Sequence, residues 1–111
     1  MEYLYQDVKA EKAAKLVEAL QTQSLGVFQT ELTHAAYEYT PATYLICEND
    51  HAFSPKDAEG MIDAARKRWS GAFDNVVRCE AGHSPFVSMP GLVGDVIRRA
   101  ARELRGLETS Q

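Results

Sequence analysis

Five consecutive residues constrain this chain more than any others. Thr43-Tyr44-Leu45-Ile46-Cys47 is a β-branched and apolar run, just after Pro41, with no polar alternation. A strand wetted on one face alternates apolar with polar, so an unbroken run reads as a strand covered on both faces, as in a parallel sheet. A helix start follows it: Ser54 at the N-cap, Pro55 at the first helical position and Asp57 two residues on. Ala58, Met61, Ile62, Ala65 and Trp69 then recur on one helical face, and Gly71 is placed to stop the helix. A second run, Asn75-Val76-Val77-Arg78-Cys79, is shorter and carries Arg78, which suits a strand nearer the sheet edge. Together these predict one right-handed β-α-β unit over 43–79.

Two further helices flank this unit. Asp7 is a good N-cap, with Ala13, Leu16, Val17 and Leu20 on one face and Lys9, Lys12, Lys15 and Glu18 toward water. A last helix opens around Ser88 to Pro90, with Leu92, Val93, Val96, Ile97, Ala100, Ala101 and Leu104 as its buried face and Gly106 as its end. Between 23 and 39, Leu32, Ala35, Ala36 and Tyr39 suggest a short helix. The fold class is therefore α/β.

At 111 residues the chain is one domain's worth at most. With 45% hydrophobic and 25% charged residues it has the composition of an ordinary globular domain, not of a disordered one. The net charge of −4 argues against nucleic acid or anionic lipid as a general partner. Arg98, Arg99, Arg102 and Arg105 read as the solvated face of the last helix, partly balanced by Asp95 and Glu103. No run of about 18 apolar residues exists and the first dozen residues are too polar for a signal peptide, so no membrane association and a cytoplasmic location are expected. Cys47 and Cys79 then read as reduced, buried thiols acting as small hydrophobes.

In a parallel sheet, the loops leaving the carboxyl ends of the strands carry the ligands and the reacting groups. Here the first strand runs into Glu48-Asn49-Asp50-His51, and the second into Glu80-Ala81-Gly82-His83-Ser84-Pro85-Phe86. If the strands pair, about 4.8 Å apart, Asp50 and His83 leave the sheet side by side. A carboxylate there can hold the imidazole by its ring N–H and fix its tautomer, as the acid of a Ser-His-Asp triad does. The competing readings are a turn-capping Asp50 and a His83 bonded to backbone. His34, His51, His83 and Asp50 lack the spacing of a metal site, and no cofactor is implied.

PATYLICEND followed by EAGHSPFVSMP resembles the C-terminal part of α/β-hydrolase superfamily enzymes, in particular fungal members of the AB hydrolase-1 type, related to the plant methylesterases and hydroxynitrile lyases. The resemblance implies a catalytic acid at Asp50 and a catalytic base at His83, in an esterase-type serine hydrolase acting on a small apolar ester. It implies three regions: a lid-like helical segment over 1–39, the strand-helix-strand-helix portion over 40–105, and a polar tail over 106–111. Tyr3, Tyr5, Phe28, Tyr37 and Tyr39 would line the lid face of the pocket.

One part of the pattern is missing. The family's nucleophile is a Ser in G-x-S-x-G, upstream of the acid and base. None of the six serines here lies in that motif, and Ser84, the sequence neighbour of His83, would have to fold back on the ring to serve. The expectation is a truncated hydrolase, inactive by itself unless completed by an upstream half. The alternative is a non-catalytic remnant acting as a binding or self-associating module, since two strands make a poor independent sheet and an open strand edge invites pairing with another chain.

Overall fold

A computed structural model describes residues 3–109, with side chains to 106. The β-α-β unit lies where the sequence places it. Strand β1 spans Thr43–Cys47, helix α3 Pro55–Arg68 and strand β2 Asn75–Cys79. Before them come helix α1 (Ala10–Glu18), the short helix α2 (Gly26–Gln29) and a 3₁₀ turn (Ala36–Glu38); after them come α4 (Pro85–Ser88) and α5 (Pro90–Thr109). β1 and β2 pair in parallel, with Thr43 opposite Asn75 and Cys47 opposite Cys79.

Local chemistry accounts for α3. The Ser54 side chain accepts from the Asp57 N–H at 3.1 Å, with Pro55 in the first turn, which satisfies one of the donors that every helix start leaves open. The helix ends at Arg68, before Gly71. The reversal into β2 falls instead on Phe73, the described non-glycine residue with positive φ (49°). That left-handed backbone is held from several sides. The Arg66 guanidinium donates to the Ala72 and Phe73 carbonyls at 3.1 and 2.6 Å. The Phe73 ring packs on Tyr37 and Tyr44, with centroids 4.6 and 5.5 Å away.

The core is small. Ile46, Ala58 and Ile62 form it, with Tyr44, Phe73 and Val76 packed around. Since side chains alternate across a strand, these contacts put Tyr44 and Ile46 of β1 on the α3 side, and Leu45 and Cys47 on the other. Here the structure corrects the sequence reading. β1 is not covered on both faces: Ile46 is buried but its four neighbours are only half-buried. The strand pairs along one edge, with β2. The Cα radius of gyration is 16.2 Å, against about 13 Å for a compact domain of this size.

The flanking helices also differ from expectation. Asp7 does not cap α1: the N-cap position is Lys9, with no side-chain cap, and the Asp7 carboxylate accepts the Gly82 N–H instead. Of the predicted stripe, Ala13 is buried while Val17 and Leu20 are exposed. α5 starts at Pro90 as read, but Ile97 and Leu104 are exposed, and the helix continues through Gly106 to Thr109. The expected tail is thus helical over 106–109, and its last two positions lie outside the described residues. Among the described residues no helix is long and apolar enough to cross a membrane.

Candidate active site

The pairing of β1 with β2 does not stop at the strand ends. Glu48 N–H donates to Cys79 O at 2.8 Å, Asn49 N–H to Ala81 O at 3.1 Å, and the Asn49 carboxamide to Glu80 O. These bonds carry both loops outward together, so the next residues emerge side by side. The result is that Asp50 and His83 meet. Both carboxylate oxygens of Asp50 lie 3.0 Å from His83 Nδ1. An ionised carboxylate only accepts, so Nδ1–H is the donor, and in the neutral ring Nε2 is left as the acceptor.

Asp50 both meets the His83 ring and caps its own turn. Its Oδ1 also accepts from the Ala52 and Phe53 N–H groups, each at 2.9 Å, so the carboxylate that holds the ring is itself held by the turn it caps. Its side chain is 11% exposed against 37% for His83. The carboxylate is withdrawn into the protein and the imidazole reaches toward solvent.

Beside the pair lies a hollow of about 330 Å³, walled by Phe53, Pro55, Pro85, Phe86 and the β1 residues from Tyr44 to Cys47. Burial, with Asp50 and Cys47 nearby, pushes the Tyr44 phenol up, so this wall stays uncharged. The Cys47 and Cys79 thiols, register partners at the strand ends, approach to 3.8 Å and are both free. Burial first, then Cys79 beside it, pushes the Cys47 thiol up to about 12. A protonated thiol at that position is an inert wall atom.

The remaining candidates fall elsewhere. His34 lines a separate groove of about 610 Å³ between residues 32–38 and α3, with Trp69 and Arg68. His51 is exposed, and Ser84 is buried at the start of α4. No cluster of three or more His, Cys, Asp or Glu side chains placed to hold a metal ion occurs among the described residues. None of Tyr3, Tyr5, Phe28, Tyr37 and Tyr39 lines the hollow beside the pair. Tyr37 packs on Phe73 and Trp69, next to the amino ends of the strands and away from Asp50 and His83. The sequence reading missed Gln6, whose carboxamide donates to the Asn49 carbonyl, and gave Asp7 the wrong partner. No spacing signals either contact, because the bonded residues are 43 and 75 positions apart.

Comparison with known proteins points the same way as the geometry. The chain is 40% identical over 100 residues to an alpha/beta hydrolase of Aspergillus novofumigatus, covering 90% of this chain and 38% of that protein. It is 38% identical over 74 residues to a probable hydrolase of Phoma sp., covering 67% of this chain and 30% of that one. It thus spans between a third and two fifths of the first relative's length, and less of the second's. No family model and no solved structure matches. Two parallel strands joined through a helix, with an acid and a histidine leaving their carboxyl ends, and homology to two fungal hydrolases, place the chain in the α/β-hydrolase family, as the C-terminal portion of that fold.

Proposed function

We propose that these 111 residues furnish the acid and the base of an esterase-type serine hydrolase, and that the nucleophilic serine and the oxyanion-hole donors come from polypeptide outside them. His83 Nε2 takes the proton of the serine hydroxyl as its oxygen attacks the ester carbonyl, then returns it to the leaving alkoxide. Asp50 keeps the ring in the right tautomer and stabilises the imidazolium formed in between. The observation that carries this reading is the approach of both Asp50 oxygens to His83 Nδ1 at 3.0 Å, at the carboxyl edge of two parallel strands. The hollow beside the pair, walled by Phe53, Pro55, Pro85 and Phe86, suits a small apolar ester.

The same reading makes β1 an interior strand of a larger sheet, so its open edge pairs with another strand, of the completing segment or of a second copy. A cytoplasmic location, where two free thiols stay reduced, is part of the same proposal.

A chimera tests the proposal. The matched 100 residues of the Aspergillus relative are replaced by those of this chain, and the product is assayed on short-chain aryl esters and with a serine-directed fluorophosphonate. The chimera is expected to turn over ester and to label, and His83→Ala to lower the rate about 10³-fold or more. Full activity in the His83→Ala chimera would overturn the assignment. A folded but inert chimera would favour the non-catalytic binding module.

A further inference from the structure

The paired backbone of the two loops ends at Asn49 and Ala81, one residue short of the acid and two short of the histidine. Two adjacent residues from the far N-terminal end of the chain take over there. The Gln6 carboxamide donates to the carbonyl of Asn49, the residue before Asp50. The Asp7 carboxylate accepts the N–H of Gly82, the residue before His83, at 2.8 Å. We propose that Gln6 and Asp7 are positioning residues for the Asp50–His83 pair, a two-residue strap that grips the loop of the acid with one side chain and the loop of the histidine with the other, and so sets the gap between them.

Three observations support this strap. Gly82 is buried beneath it, and a Cβ at that position would lie 2.8 Å from Asp7 Oδ1 and 2.9 Å from Gln6 Cδ, so the strap sits directly on the glycine backbone. Gln6 keeps its bond to Asn49 although its own carboxamide oxygen is buried without a hydrogen-bond partner, a cost that a side chain of merely local use would avoid by turning to solvent. Burial would push the Asp7 carboxyl up, but hydrogen bonds from Gly82, the Ser88 side chain and its own N–H outweigh it and hold the carboxyl below its ordinary value. The strap therefore carries a full negative charge at neutral pH, and the Gly82 bond is charge-assisted.

The purpose of the strap rests on the acid–base reading of Asp50 and His83, but its test needs no activity. In the 111-residue chain, the exchange of the His83 Nδ1 proton with water is followed by NMR, with the β1 and β2 amide signals as the control for folding. Asp7→Ala is expected to speed that exchange about tenfold or more, with the strand amides unmoved. Asp7→Asn should restore most of the protection, because its carboxamide oxygen still accepts the Gly82 N–H. Gln6→Ala should act in the same direction as Asp7→Ala, and Lys9→Ala should not. An unchanged His83 proton in Asp7→Ala would overturn the proposal. So would loss of the strand signals in both Asp7→Ala and Asp7→Asn, which would make Asp7 a general structural support. An inert chimera with the expected NMR result would sink the hydrolase reading and leave the strap standing.

Discussion

Residues 43–88 and residues 20–36 are built from similar proportions of apolar and polar side chains, yet they end in opposite conditions. The first stretch bonds across long sequence distances: β1 to β2, and the loop of Asp50 to the loop of His83. The second bonds to itself. Val27 N–H reaches Ser24, Phe28 reaches Leu25, and the Thr30 hydroxyl reaches Gly26. Its large side chains stand in solvent, with Leu25 70%, Phe28 76% and Leu32 86% exposed. Local turn chemistry is enough to shape a segment, but only partners distant in sequence bury it. Among the described residues, the stretch that holds Asp50 and His83 has found such partners, and the stretch before it has not.

The hardest blow to this contrast falls on the core. Ile46 is 1% exposed, so Ile46→Ala is expected to cost about 2–5 kcal/mol, enough to unfold so small a core. Circular dichroism during urea titration checks this, and a midpoint within error of the wild type would show that 43–88 is no better anchored than 20–36.

Chemical access sharpens the comparison. With its thiol pushed up to about 12 from an ordinary 9.0, folded Cys47 at pH 8 should react with iodoacetamide at least a hundredfold (~2 pH units' worth of thiolate) more slowly than in the unfolded chain. Quenched labelling and mass spectrometry read the ratio, and equal rates would mean that the strand ends are open to solvent.

A smaller effect concerns the strap. The folded Asp7 carboxyl lies below its ordinary value of 3.8, so its contribution to stability is fully present above pH 3.8 and is lost as the pH falls through the lower folded value. Wild-type and Asp7→Asn melting temperatures should therefore differ at pH 6 and converge in acid below 3.8. A gap that stays constant into that range would remove charge from the account of the strap. The smallest effect is expected at the other pole: Leu32→Ser, at a residue 86% exposed, should leave the melting temperature within error, as surface changes do.

What could be read from the sequence alone is what local chemistry decides. Both strands have the bounds that their apolar runs indicate, and α3 begins where Ser54, Pro55 and Asp57 say it must. The exit of Asp50 and His83 from the same sheet edge follows from a parallel pair, once the two runs are taken as neighbours. Other features were settled only in the tertiary structure. A reversal through Phe73 rather than Gly71 depends on Arg66, Tyr37 and Tyr44 closing round it. Periodicity names the apolar faces of α1 and α5 but not what covers them, so Val17, Ile97 and Leu104 could be recognised as apolar and still stand exposed. Asp7 shows the limit most plainly. A helix-capping aspartate and an aspartate that grips a glycine 75 residues away look alike in sequence, because the choice between them is made by a backbone N–H that only the folded chain brings within reach.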